Sequence, residues 1–213
     1  MNNTYISIGS QCSTPLLFFN TGVKGKSLPF DWIISTPEFV YTILKLIFID
    51  NLNINTIVDD YFFICDKSAS SPLEGKFITD ENGAAFINSK YNVCFVHDKI
   101  TDREKYIRRM QRLKDTILNK NNFLNFVYVS TSSPDTGNYA FDGVEPIQNL
   151  HEYLEKISII INCITTNYRI IVFDSHKRSH ISSEHIFYYD IEAKDQWGEL
   201  MPELVYKFMN IKA

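Results

Sequence analysis

The sequence predicts an α/β fold, a single three-layer domain with a mainly parallel sheet and helices on both faces. Short β-prone runs alternate along the chain with helical segments of roughly 12 to 18 residues, the order typical of strands joined by crossover helices. The clearest strand, 169–173, is apolar along most of its length. A strand of this kind is expected where both faces of a parallel sheet are covered.

The chain begins with a strand and a helix joined by a tight turn. Residues 4–8 are β-prone and Gly9 ends the run. Pro15 suits the first turn of a helix, which we expect over 14–21. A glycine- and lysine-rich loop follows this helix, and the apolar segment Leu28–Trp32 comes after the loop.

A second helix has a strong start signal. Ser35 and Thr36 supply hydroxyls for a cap, Pro37 suits the first turn and Glu38 complements the helix dipole. The predicted helix runs to about Ile49. Its buried face has the spacing i, i+4, i+7, i+8 and consists of Phe39, Ile43, Leu46 and Ile47.

The middle of the chain is the least regular part. Residues 66–83 are the most loop-like stretch, and Phe86-Ile87 with 91–96 predicts a short β-hairpin. We therefore expect one domain over 1–213 with a loop-rich insertion near 66–92. The later elements are a helix from a capping box at Thr101 to about Asn119, a strand over 123–129, a helix over 147–165, strands over 169–173 and 185–189, and a last helix from about Pro202.

Composition limits the function classes. The formal net charge is −4 and the pI is about 5.7, which argues against nucleic acid as a partner. The chain has no long uncharged apolar run and its first residues do not resemble a signal peptide, so we expect a cytoplasmic protein without a membrane partner. The four cysteines contain no CxxC pair, which predicts reduced thiols and no metal site.

Cys12 is the leading candidate for a reactive group. It lies at the predicted strand-to-helix turn, where helix N–H groups and the helix dipole favour a thiolate over a thiol. Ser10 and Gln11 precede it and are expected on the substrate side, with Gln11 and the Cys12 N–H as donors to an oxyanion. A small buried cysteine at a tight turn is the other interpretation of the same position.

Other titratable residues also follow predicted strands. His97 and Asp98 come directly after the 91–96 run, and Asp174 follows the clearest strand with His176 and His180 close behind. In open α/β sheets, ligands bind beyond the carboxyl ends of the strands. Asp31 is flanked by bulky apolar groups and therefore needs an arginine, a histidine or backbone donors as partners.

Arginines are concentrated on the predicted helix that begins near Thr101. Arg108 and Arg109 are each three or four residues from Arg112, so Arg112 is central to either grouping. Such a run is commonly a solvated face. The alternative is that Arg108, Arg109 or Arg112 binds a phosphate or carboxylate of the substrate through its guanidinium group.

Four segments in order resemble a known family. They are Ile6-Ser-Ile-Gly-Ser-Gln-Cys12, Ser27-Leu-Pro-Phe-Asp-Trp32, Val93 with His97-Asp98, and Tyr106-Ile-Arg-Arg-Met-Gln-Arg112. The chain is similar here to the bacterial and viral family of unknown function to which a papain-like cysteine peptidase activity is ascribed. The resemblance covers about the first 130 residues.

The resemblance implies a thiol enzyme. It implies Cys12 as nucleophile and His97 as its base, with Asp98 or Asp31 orienting the imidazole, and Trp32 lies beside Asp31 on the expected substrate side. We expect a cysteine-dependent hydrolase or acyl transferase that acts on a peptide, acyl or glycoconjugate substrate and needs no cofactor. For a viral protein, the location would be the host cytoplasm.

Two other functions fit the sequence. A glycosyl- or phosphoryl-type transferase would bind an anionic or nucleotide-sugar substrate through the arginine helix over 103–112. A non-catalytic interaction module would use none of these residues for chemistry.

Overall fold

Four parallel strands form the main sheet of the computed structural model. They lie in the order β1 (Asn2–Ser7), β6 (Asn122–Ser130), β7 (Tyr168–Asp174) and β8 (Ile186–Asp190). The structure describes residues 1–9, 12–23, 25–62, 75–80, 83–88, 93–95, 103–130, 150–177, 179–192 and 197–212. In the register of the sheet, Ile6 lies opposite Phe126, Phe126 opposite Ile170, and Ile170 opposite Ile186. All four strands therefore end at one edge, called here the carboxyl edge.

Helices cover both faces of this sheet. They are α1 (Ser13–Asn20), α2 (Pro37–Phe48), α3 (Ile54–Ile57), α4 (Arg103–Leu118), α5 (Leu150–Asn162) and α6 (Trp197–Lys212). A π-helical turn, Val58–Phe62, continues α3, and a 3₁₀ turn, Ser179–Ile181, precedes β8. None of the helices in the described ranges is both long and apolar enough to cross a membrane.

The alternation of side chains along β6 separates two apolar clusters. Phe126 and Tyr128 belong to a cluster with buried side chains of α2, α4 and α5. Val127 and Val129 belong to a second cluster with α1 and α6. Because successive strand residues point to opposite faces, the two clusters lie on the two sides of the sheet. The predicted three-layer α/β architecture is confirmed.

A smaller antiparallel sheet lies between α1 and α4 in the chain. Its strands are ordered β2 (Ile34–Ser35), β5 (Val93–Phe95), β4 (Gly83–Asn88) and β3 (Gly75–Asp80). Phe86 pairs with Phe95, as the predicted hairpin requires. However, β3 lies inside the stretch 66–83, which we expected to be loop. Its β-prone run Phe77-Ile78-Thr79 is only three residues long and is flanked by glycine, lysine and aspartate, so the strand signal is short.

The last helix begins earlier than predicted. It starts at Trp197, five residues before Pro202, which therefore lies inside the helix. Proline lacks an N–H and weakens a helix interior, so the sequence favoured Pro202 as the start. Burial of Leu200, which is only 3% exposed, holds the first turns against the sheet and overrides that preference.

Candidate functional site

Cys12 lies beyond the carboxyl end of β1 and caps helix α1. Its carbonyl accepts a hydrogen bond from the Leu16 N–H at 3.1 Å, and its side chain makes no capping hydrogen bond. The side chain is half-buried and the first turn of α1 contains no acidic residue. Since the N–H groups at a helix N-terminus carry partial positive charge, this position stabilises a thiolate.

A close backbone approach shapes the turn before Cys12. Gly9 has φ of +105°, and a Cβ at this position would lie 2.5 Å from Ser35 Oγ and 3.1 Å from the Ser35 carbonyl oxygen. Thr14 Oγ1 donates to the Gly9 carbonyl at 3.4 Å. Only glycine fits here, because a side chain would be strained and would also displace β2.

Three serine hydroxyls are buried around this turn. Ser7 ends β1, Ser13 begins α1, and Ser35 lies against Gly9; each is at most 1% exposed. Within the described residues, none of the three hydroxyls has a hydrogen-bond partner. A buried hydroxyl without a partner is costly, and one of these three, Ser13, directly follows Cys12 in the chain. The sequence offers the hydroxyls of Ser35 and Thr36 as caps for α2. Thr36 is the cap, since it accepts from the Phe39 N–H, and Ser35 instead lies against Gly9, a contact that the sequence did not indicate.

Asp31 fixes the apolar segment that follows the first loop. It is 5% exposed, and its Oδ2 accepts a hydrogen bond from the Leu28 N–H at 3.0 Å. The Asp31 N–H in turn donates to the Leu28 carbonyl at 3.2 Å. The prediction that Asp31 finds a backbone donor is confirmed.

Trp32, the next residue, has a strained backbone. Its φ is +68° and its side chain is half-buried. A bulky residue in the left-handed region is uncommon and costs conformational energy, which the surrounding structure must offset. The segment that contains Asp31 and Trp32 is thus held by hydrogen bonds between Asp31 and Leu28 and includes one strained backbone position.

The arginines of α4 have separate environments. Arg103 forms two hydrogen bonds with Asp59, at 2.6 and 2.9 Å, and Arg108 is exposed. Arg109 is 9% exposed and lies over the Tyr106 ring, 5.6 Å from its centroid. Arg112 is half-buried and donates to the Ser27 carbonyl at 3.2 Å. Arg103, Arg109 and Arg112 therefore have different partners among the described residues.

A second polar group lies at the carboxyl edge. Asp174 ends β7, is completely buried, and lies 3.5 Å from His176 Nδ1. His180 is exposed on the 3₁₀ turn. A buried carboxylate that contacts an imidazole can fix its orientation, so His176 is a rival to His97 as a base.

Several predicted site residues lie outside the described part of the chain. These are Ser10, Gln11, His97 and Asp98. In sequence, His97 comes two residues after β5, and β5 pairs with β2 through Ser35 and Val93. Ser35 contacts Gly9, so β2 connects the strand before His97 with the turn before Cys12.

Most of the chain matches one known domain family. Residues 3–174 match the model of a domain family described as "Putative papain-like cysteine peptidase". The chain belongs to this family. The match includes Cys12 and ends at Asp174, so β8 and α6 lie beyond it. No curated protein and no solved structure matches the chain significantly.

A metal centre has no basis in the described residues. Within the ranges that the structure covers, no three histidine, cysteine or acidic side chains are grouped so that they could hold an ion.

Proposed function

We propose that this protein is a cysteine-dependent hydrolase of peptide or related acyl bonds, with Cys12 as its nucleophile. The observation that supports this most directly is the position of Cys12 at the N-terminus of α1, beyond the carboxyl end of β1. Membership of the family described as "Putative papain-like cysteine peptidase" agrees with this chemistry.

The proposed reaction has two acyl-transfer steps. The Cys12 thiolate attacks the substrate carbonyl carbon, and the electron pair moves onto the oxygen. N–H groups in the first turn of α1 then stabilise this oxyanion. The C–N bond breaks as a histidine donates its proton to the leaving amine, which leaves a thioester on Cys12. Water, deprotonated by the same histidine, releases the acid and restores the thiol.

His97 is the proposed base, with Asp98 or Asp31 as the group that orients it. This assignment is supported by the family resemblance and by the pairing of β5 with β2, which contacts the Gly9 turn. Asp31 is already engaged by the Leu28 N–H, which makes a structural role the better-supported one for that residue. Gln11 and Ser10 complete the proposed substrate side.

The first test is the pH dependence of iodoacetamide labelling, quantified by peptide mass spectrometry. Cys163 provides an internal control, since it is exposed and its N–H bonds back to Ile159 at the C-terminal end of α5. We expect half-buried Cys12 to label faster than exposed Cys163 near pH ~6, because only Cys12 lies at the positive end of a helix. Slower labelling of Cys12 across the whole pH range would contradict a thiolate nucleophile.

A second measurement identifies the base. Acetylation by p-nitrophenyl acetate should give a burst of nitrophenolate and an acetylated Cys12, which Cys12→Ala abolishes and Cys163→Ala preserves. We expect His97→Gln to slow the burst about 10²- to 10⁴-fold, the usual contribution of a general base. If His176→Gln slows it and His97→Gln does not, the Asp174–His176 pair provides the base instead.

A transferase that binds its substrate through several arginines of α4 has less support. Arg103 is paired with Asp59 and Arg109 is buried against Tyr106, so neither is available at a shared site. Cys12→Ser should remove hydrolase activity while sparing such a transferase.

A further inference from the structure

A cavity of about 350 Å³ lies beside the first half of β1, away from Cys12. Its walls come from the start of β1, the loop after α1 and the second half of α4. Along a strand, Thr4 and Ile8 are roughly 13 Å apart, and Cys12 follows four residues later. The volume is at the small end of the range for small-molecule sites.

The cavity is open to the free edge of the main sheet. The loop after α1 begins at Val23, which packs on one face of the sheet, and reaches Leu28 in the cluster on the other face. It therefore passes around the edge strand β1. Because both ends of this loop line the cavity together with Tyr5, the cavity lies between the loop and the strand edge.

The strand edge offers unpaired backbone donors to this space. The N–H groups of Asn2 and Ile8 donate toward β6, at 3.0 and 3.1 Å. In a parallel pair, alternate residues bond to the same neighbour, so the N–H groups of Asn3 and Tyr5 point away from β6. Among the described strands β1 pairs only with β6, and no turn or loop carbonyl of the described residues accepts from these two N–H groups.

Two cations also line the cavity. Lys26 is exposed, and Arg112 is half-buried with one nitrogen bonded to the Ser27 carbonyl at 3.2 Å. Neither forms an ion pair with a carboxylate in the described ranges. Asp115 is the acidic residue of the lining, and its Oδ1 accepts from Gln111 Nε2 at 2.8 Å. The walls thus carry two positive charges against one negative charge.

We propose that this cavity binds a small phosphate monoester. The Arg112 guanidinium, the Lys26 ammonium and the edge N–H groups approach from three walls, an arrangement that suits a tetrahedral oxyanion. The remaining volume accommodates a small hydroxylated group, for which the Asp115 carboxylate is an acceptor. The site is independent of the proposed thiol chemistry and does not rest on it.

The test is calorimetric titration of the full chain with glucose 6-phosphate and with glucose. We expect saturable 1:1 binding of the phosphate ester and none of the free sugar. Arg112→Met and Lys26→Met should each weaken binding about tenfold or more, since each removes charge-assisted hydrogen bonds. Lys114→Met is the matched control, because it also removes one positive charge from α4. Lys114 lies about 200° around the helix from Arg112 and does not line the cavity, so this variant should leave the affinity unchanged.

Arg112→Met could disturb the loop, because Arg112 bonds to the Ser27 carbonyl. Lys26 is exposed, so Lys26→Met should leave the loop in place and tests the site independently. In ¹H–¹⁵N spectra, glucose 6-phosphate should shift the amides of Asn3, Tyr5 and Lys26. Binding that both cavity variants leave intact, equal loss in Lys114→Met, or no saturable binding by the wild type would each overturn the proposal.

Discussion

At the scale of single residues, Gly9 and Gly22 form a natural pair for testing the turn before Cys12. Both have positive φ, +105° and +68°. A Cβ on Gly22 would meet nothing within 4 Å, whereas a Cβ on Gly9 would meet Ser35 at 2.5 Å. An alanine would therefore be strained at either position, and at Gly9 it would also meet the steric contact with Ser35.

We expect Gly9→Ala to destabilise the protein more than Gly22→Ala. Backbone strain costs an alanine roughly 1–2 kcal/mol at Gly22, and at least as much at Gly9, whose φ lies outside the left-handed well. Displacing Ser35 adds roughly 1–3 kcal/mol at Gly9 alone, as overpacking of a filled site does. Urea denaturation of the two variants measures the difference, with Gly25→Ala as the neutral control because it meets nothing within 4 Å. Equal losses of unfolding free energy in Gly9→Ala and Gly22→Ala would show that Ser35 and β2 move away from the added methyl group at no cost.

The parts of the candidate site that depend on residues close together in the chain could be predicted, and the parts that depend on distant residues could not. The turn position of Cys12 could be predicted because Gly9 and Pro15 are local signals. The Asp31 bond to the Leu28 N–H is also local, three residues apart. The contact of Ser35 with Gly9 and the burial of Arg109 against the core arise from packing between distant segments, which no local pattern encodes.

At the scale of elements, the ion pair between Asp59 and Arg103 ties the π-helical turn to the start of α4. The Arg103 guanidinium donates to both carboxylate oxygens of Asp59, and these hydrogen bonds lower the pKa of Asp59 below its ordinary value. Asp59 is 44% exposed, so water and salt screen the interaction strongly.

The direction of the pH dependence follows from the lowered pKa. Stabilisation by the pair is fully present above the ordinary pKa of aspartate and is lost as the pH falls through the lowered pKa of Asp59. Arg103→Gln should therefore reduce the melting temperature slightly at pH 7. The difference from the wild type should shrink in acid and in high salt. If the wild type and Arg103→Gln still differ in melting temperature at a pH where Asp59 is protonated, the effect comes from packing of the Arg103 side-chain methylenes and not from the ion pair.

Elements with strong local signals were predictable, and those held by distant contacts were not. Helix α2 was expected from its cap, and it occupies Pro37–Phe48 with Thr36 as the capping residue. Strand β3 has only three consecutive β-prone residues, Phe77-Ile78-Thr79, and its full length depends on pairing with β4, from Gly75 with Asn88 to Asp80 with Gly83. The first turns of α6 likewise depend on Leu200 contacting the second apolar cluster.

At the scale of the whole molecule, α6 completes the sheet's second face although it lies beyond the family match. Its side chains Leu200, Leu204 and Phe208 are at most 3% exposed and join the cluster formed by α1, β6 and β7. Burying one such side chain contributes about 1.5–3 kcal/mol. The three together are comparable to the ~5–15 kcal/mol that stabilises an entire domain.

A chain shortened to residues 1–176, close to the limit of the family match, should therefore fail to fold cooperatively. Loss of α6 uncovers side chains that are now fully buried, among them Leu17 of α1 and Phe173 of β7, and loss of β8 leaves β7 as a free sheet edge. We expect the fragment to bind a hydrophobic dye such as anilinonaphthalene sulfonate and to show no sharp thermal transition. In the full chain, Leu204→Ala should cost about 2–5 kcal/mol, whereas Tyr206→Ala, at a side chain 69% exposed, should cost little. A fragment that melts cooperatively and does not bind the dye would show that the region of the family match folds without α6 on the second face of the sheet.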